Sequence, residues 1–171
     1  MLKIVPAETA TQYQQIRMLL AEFIATDTAQ MNELGLDSKA SLEFYFASGG
    51  EELPGIYAPP NGRIFLASYS ENTAGCGAFR RITANTCEMK RMYVRPEFRG
   101  KHVGSRLAKT LISTAREAGY HVMRLETTTY SDKAIALYTA VGFRTCEPYY
   151  SIPEGFRKII VCMELDLLAA M

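Results

Sequence analysis

Apolar residues recur at Tyr13, Ile16, Leu19, Leu20, Phe23 and Ile24, the three- and four-residue spacing of one helix face. Pro6 with Thr9 or Thr11 supplies a start signal for that helix, and residues 1 to 5 before it read as a short strand. A second helix is predicted over Ser38 to Ala47. The segment Gly49 to Gly62, with three prolines and four glycines, then reads as loop. Three apolar-rich runs follow, Arg63 to Tyr69, Ala74 to Ile82 and Thr86 to Val94, joined by the polar turns SENT and TANT; connections this short predict an antiparallel meander. Helical spacing returns at Val103, Leu107, Leu111, Ile112 and Ala115, with Gly119 as the stop and Arg106, Lys109 and Arg116 facing elsewhere. A strand at Tyr120 to Thr127, a helix between a capping Ser131 and Gly142, and the C-terminal run RKIIVCMELDLL complete the series. Strands first, then strand, helix, strand, helix and strand, is an α+β (mixed α/β) arrangement. No internal repeat or low-complexity tract interrupts it.

Composition narrows the setting. A chain of 171 residues fits one domain and buries a core without disulfides or structural metal. Its apolar fraction of 48% and charged fraction of 22% suit a soluble globular protein, and no run of eighteen apolar residues is present to span a bilayer. The N-terminus MLKIVPAETATQ lacks the apolar core and cleavage site of a secretory signal, so a cytoplasmic address and no membrane partner are expected. Cys76, Cys87, Cys146 and Cys162 lie far apart, and with only two histidines no zinc site is expected; the thiols read as reduced and structural. A net charge of +1 argues against nucleic acid as a partner. Yet Lys90, Arg91, Arg95, Arg99, Lys101, Arg106 and Lys109 crowd into twenty positions opposed there only by Glu97, a basic face suited to steering an anionic ligand.

The centre of that region, MYVRPEFRGKHVG from Met92 to Gly104, reads as a strand end, a basic turn and a helix start. The first turn of a helix carries four amides without intrahelical acceptors and the positive end of the peptide dipoles, so it binds phosphate. The segment resembles motif A of the GCN5-related N-acetyltransferase (GNAT) superfamily, Gln/Arg-x-x-Gly-x-Gly/Ala, with Arg99 and Gly104 in place and His102 standing where the pattern has its central glycine. Downstream, AIALYTAVGF from Ala134 to Phe143 resembles motif B, Ala-x-x-Leu-Tyr-x-x-x-Gly-Phe, at every specified position. The resemblance covers roughly residues 60 to 168. It implies a GNAT-type acetyltransferase fold, a central splayed, mostly antiparallel mixed sheet flanked by helices, in one domain over 1–171, with variable acceptor-side helices and loop in 1–60 and a cofactor-binding core in 61–168. GxxxxGK[ST] and GxGxxG nucleotide motifs are both absent.

The same resemblance implies acetyl-coenzyme A as cosubstrate, no metal, and direct acetyl transfer in a ternary complex to a primary amine of a small molecule. The backbone of Met92, Tyr93 and Val94 would pair with the pantetheine arm in the splay. Arg99, Gly100, Lys101, His102, Val103, Gly104 and Ser105 would surround the pyrophosphate, with Ser131 on the adenine or pantetheine side. Tyr138 matches the motif B tyrosine that points at the cofactor sulfur; read from spacing alone it is an aromatic on a helix face with Ala134, Leu137 and Val141. Glu88 matches the catalytic glutamate of several members, and otherwise reads as a solvent-facing strand residue or a partner for Lys90 or Arg91. Strand alternation puts Glu88, Lys90 and Met92 on one face unless a bulge intervenes. Cys87 reads as a small buried hydrophobe, His121 as structural, and Tyr149 with Tyr150 either as an acceptor-side loop or as edge packing. The alternatives are a non-catalytic acyl-coenzyme A binding or sensing module and an acetyltransferase of protein N-termini or lysines. A homodimer is compatible with the apolar C-terminal strand.

Overall fold

The computed structural model describes residues 1–46 and 52–169. The described residues form a seven-stranded sheet: β1 (Leu2–Pro6), β2 (Arg63–Tyr69), β3 (Asn72–Arg81), β4 (Thr86–Val94), β5 (Val122–Thr128), β6 (Arg144–Thr145) and β7 (Ile160–Asp166). Its order is β1-β2-β3-β4-β5-β7-β6. Four helices accompany it: α1 (Ala10–Glu33), α2 (Ser38–Phe46), α3 (Val103–Glu117) and α4 (Asp132–Ala140). This is the α+β arrangement expected, with β2, β3 and β4 as an antiparallel meander. The predicted helix end at Ala47 and the start of the predicted loop, 49–51, lie outside the described residues. The short β6 went unread in the sequence, since two residues carry no periodicity.

Thr9 starts α1 by a reciprocal cap: its hydroxyl accepts from the Gln12 amide and the Gln12 side chain accepts from the Thr9 amide. Ile16, Leu19 and Leu20 then bury against Ile64, Leu66, Cys76, Ala78 and Tyr93 on one face of the sheet. Arg95 locks α1 to the end of β4, donating from Nε and Nη2 to the two Glu22 oxygens at 2.9 and 2.7 Å and from Nη1 to the Thr73 carbonyl at 2.9 Å. That forked pairing fixes direction as well as distance. The other face packs on α3, through Leu107, Ala108, Leu111, Ile112 and Ala115, and on Tyr138 of α4.

Two irregularities of β4 shape everything near the sheet centre. Its parallel pairing with β5 lasts only from Thr86↔Val122 to Glu88↔Arg124, after which the two strands part. On its other side, Tyr93 pairs with Cys76 and Lys90 with Ala78, so Arg91 and Met92 together oppose Gly77, a β-bulge. Arg91 takes φ +58° there. The bulge reverses the alternation. Met92 packs in the core on the α3 side, and Tyr93 packs against the α1 side. Met92 therefore does not share a face with Glu88 and Lys90.

Gly77 permits this. A β-carbon at that position would lie 2.5 Å from Met92 Sδ and 2.9 Å from Leu111 Cδ1. Gly77→Ala should cost about 1–3 kcal/mol of stability in urea unfolding, the usual range for overpacking, and should displace Met92.

Candidate active site

Where β4 and β5 part, a groove of about 750 Å³ runs from the gap to the start of α3. Met92, Tyr93, Val94, Arg99, Gly100, His102, Val103, Gly104, Ser105, Ser131 and Tyr138 all line it. Eleven of the residues expected around a cofactor are thus gathered on one wall system. Lys101 is not on that wall; its ammonium lies over the rings of Tyr69 and Phe98, 5.1 and 5.3 Å from their centroids. A groove of this volume is in the range of sites for whole ligands.

The α3 end of the groove is a helix N-terminus, whose free amides can hold an anion. His102 is the N-cap of α3 and adopts φ +60°, ψ +13°, the left-handed conformation that glycine reaches without cost. It puts no side-chain cap on the helix amides, and its ring is exposed. The first-turn amides therefore face outward as they would with glycine at this position. Arg99 Nε donates to the Val94 carbonyl at 3.1 Å, which ties the turn to the end of β4. Gly104 brings the helix close to α4: a β-carbon there would meet Leu137 Cδ2 at 3.3 Å. Of the seven clustered basic residues only Arg99, Lys101, Arg106 and Lys109 lie toward the outside. Lys90 and Arg91 are buried in the sheet and Arg95 is committed to Glu22, so the basic face is narrower than the sequence suggested.

Behind the gap lies a second cavity of about 180 Å³. Phe23, Met31, Leu42, Met89, Phe156 and Ile159 supply apolar wall; Asp27, Ser41, Lys90, Glu126 and Tyr130 supply polar groups. The two cavities share Phe23, Asp27, Met92, Tyr130, Ser131, Ala134 and Tyr138. Tyr138 therefore stands at the junction, 8% exposed, with its ring edge-on to Phe143 at 5.9 Å. Ser131 Oγ lies 2.7 Å from Thr128 Oγ1.

Glu88 sits outside both walls. Its carboxylate is 2% exposed and accepts from Arg80 Nε at 2.8 Å and from the Tyr149 hydroxyl at 2.7 Å, with Lys90 Nζ 3.6 Å away. Lys90 Nζ in turn donates to Glu126 at 2.8 Å, and the Tyr150 hydroxyl donates to the other Glu126 oxygen. Arg124 lies over the Tyr149 ring and pairs with Glu164 at 3.4 Å. A polar row thus crosses the sheet beneath the segment that follows β6. Burial, then the facing carboxylates, push both tyrosine hydroxyls well above their ordinary pKa, so they remain donors. Tyr149 and Tyr150 pin that segment, and with it Phe156 and Ile159, over the cavity. Burial pushes the Cys87 thiol up to about 12, which suits a packing role rather than a nucleophile. His121 is exposed and lies on neither wall.

The sequence reading missed the contribution of α1 and α2. Phe23, Asp27 and Met31 fall on successive turns of one helix face. A carboxylate inside an otherwise apolar stripe was the available signal.

These features accord with the comparisons with known proteins. The acetyltransferase (GNAT) family pattern matches residues 30–143, and the chain belongs to that family. It is 42% identical over 99 residues to an uncharacterized N-acetyltransferase of Schizosaccharomyces pombe, a match covering 57% of this chain and 61% of that one. It is 39% identical over 111 residues to the IAA acetyltransferase of Azospirillum brasilense, covering 64% and 71%. A Bacillus subtilis acetyltransferase solved in complex with CoA shares the fold with a TM-score of 0.61 at 17% identity, over 98% of this chain and 100% of that one. Among the described residues no helix is long and apolar enough to cross a membrane, and no group of three His, Cys, Asp or Glu side chains is placed to hold a metal.

Two tests follow from the site. His102→Gly should stabilise the fold by about 1 kcal/mol, the cost of a left-handed non-glycine residue, and leave acetyl-coenzyme A affinity within about threefold. A tenfold gain in affinity by calorimetry would show instead that the imidazole crowds the ligand. Tyr149→Phe should remove about 1–3 kcal/mol, the cost of leaving a buried charged acceptor short of a donor. A double-mutant cycle with Glu88→Gln, read by urea unfolding, should show the two substitutions to be strongly coupled.

Proposed function

We propose that the protein is an acetyl-coenzyme A dependent N-acetyltransferase that acts on the primary amine of a small molecule, by direct transfer with both substrates bound. The observation that carries this reading is the meeting of two cavities at Tyr138 and Met92, one ending in a helix N-terminus and the other small.

The groove suits the cosubstrate. The amides of Val103 to Ser105 would hold the pyrophosphate, with Arg99 and Arg106 adding charge. From Met89 onward β4 has no strand on its β5 side, so the backbone of Met92 to Val94 can pair with an amide-bearing arm as an added strand would. When bound, acetyl-coenzyme A supplies the activated thioester. The chain supplies orientation, a backbone N–H of β4 toward the thioester oxygen, and a proton for the leaving sulfur from the Tyr138 hydroxyl.

Glu88 enters this scheme through its neighbours. It holds Arg80, Lys90 and the Tyr149 segment in place, and thereby fixes Lys90 and Glu126 on the cavity wall. A cavity of about 180 Å³ compares with the roughly 150 Å³ that holds benzene. That size favours a compact acceptor over a protein segment. Four free thiols suit a reducing, cytoplasmic setting.

Calorimetric titration with acetyl-coenzyme A, coenzyme A and ATP tests the reading. Micromolar affinity for the first two with none for ATP is expected, and absence of binding by acetyl-coenzyme A would overturn it. Tyr138→Phe should retain that affinity while kcat falls about tenfold to a hundredfold, at the low end for a lost proton donor.

A further inference from the structure

Asp27 is the one carboxylate among the residues that face both the groove and the acceptor cavity. It lies between Phe23 and Met31 on the same face of α1, and it makes no ion pair among the described residues. Two hydroxyls on the same walls also lack hydrogen bonds. Ser41 Oγ, on a side chain 7% exposed, has no partner. The Tyr130 hydroxyl lies beside Thr128, whose Oγ1 is engaged with Ser131, and makes no bond of normal geometry. Buried polar groups without partners cost free energy and are rare unless a ligand completes them. A half-buried carboxylate with no cation makes the same demand for a positive charge.

We propose that Asp27 is a catalytic residue that receives the ammonium of the acceptor and takes its first proton, and that Ser41 and Tyr130 hydrogen-bond the body of a small primary amine. This rests on the acetyltransferase reading and names its acceptor side. The protons balance as follows. Asp27 accepts one proton from R–NH3⁺ and passes it to solvent, leaving R–NH2. The nitrogen lone pair forms the C–N bond to the acetyl carbon, and the C–S pair departs on sulfur. Sulfur receives the Tyr138 proton, and the second amine proton replaces it on Tyr138. The net change is R–NH3⁺ plus acetyl thioester to amide, thiol and one released proton.

Burial raises the Asp27 carboxyl above its ordinary value, which brings a carboxylate base closer to neutrality. The titratable groups that line the two cavities with it are Tyr130 before α4, Tyr138, Asp132 and Lys133 on α4, Lys90, Arg91 and Tyr93 on β4, Arg99 and His102 between β4 and α3, and Glu126 on β5, and none of them forms an ion pair with Asp27. For folding the sign is unfavourable at neutral pH. A carboxyl whose folded pKa is raised contributes stability below its unfolded pKa and loses it as pH rises through the folded value. Removing the charge therefore should not weaken the fold.

The test compares the parent with Asp27→Asn in three measurements: acetyl-coenzyme A affinity by calorimetry, Tm from pH 4 to 9, and kcat/KM by thiol release with benzylamine, ethanolamine and propylamine from pH 6 to 9.5. For the variant, affinity should stay within twofold, and its Tm relative to the parent should rise with pH. Its kcat/KM at pH 7 should fall a hundredfold or more, recovering toward high pH as the amine loses its proton to solvent. A variant within threefold of the parent with an unchanged pH profile overturns the assignment. So does a parent that binds acetyl-coenzyme A but acetylates none of the three amines. A parent that does not bind acetyl-coenzyme A overturns the underlying acetyltransferase reading itself.

Discussion

The parting of β4 from β5 after three paired residues is the constraint on which the rest depends. Backbone amides and carbonyls in a sheet interior must be satisfied, and a strand that loses its neighbour exposes a row of them. Here that row faces a groove instead of another strand. The parting also lets side chains from both faces, Lys90 from one and Met89 from the other, reach the same cavity.

Keeping the strands apart requires the surrounding structure to hold firm. On the α3 side, the apolar stripe of α3 and Tyr138 with Phe143 fill the space next to the gap. On the other side the sheet carries charges where α1 does not cover it: Arg80, Glu88, Lys90, Glu126, Arg124 and Glu164 alternate in sign across four strands. A buried ion pair gains little over an apolar pair, but removal of one partner is costly. The row is therefore better understood as a device for register and orientation than as a source of stability. Its two tyrosine hydroxyl bonds determine where the segment after β6 sits.

Much of the architecture was legible because its signals are local. The α3 stripe, the Thr9 cap and the hairpin turns are each specified within a few residues. The eleven groove residues were legible by resemblance, since motifs A and B are contiguous stretches. The second cavity was not, because it is assembled from α1, α2, β4, β5 and the segment after β6, and no short spacing joins Asp27 to Ser41 or Lys90 to Glu126. Glu88 was found as a position but not as an environment; that it bonds Tyr149, sixty-one residues away, is a property of the fold alone. The bulge at Arg91 was similarly invisible. Nothing in the identity of arginine announces a left-handed backbone.

Backbone strain locates the site independently of any motif. Four non-glycine residues among those described have positive φ: Ser70, Glu71, Arg91 and His102. Ser70 and Glu71 form the two-residue turn between β2 and β3, where a type I′ hairpin requires that conformation at both central positions. Topology explains them. Arg91 and His102 have no such excuse, since a bulge and a helix start can both be built with ordinary torsions. Each costs about 1 kcal/mol, and they stand at opposite ends of the same stretch of chain. Arg91 turns Met92 and the following amides toward the gap; His102 turns the α3 amides toward the groove. Strain that persists in this pattern is compensated by packing around it, and it holds Met92 to Val94 and His102 to Ser105 along the same groove.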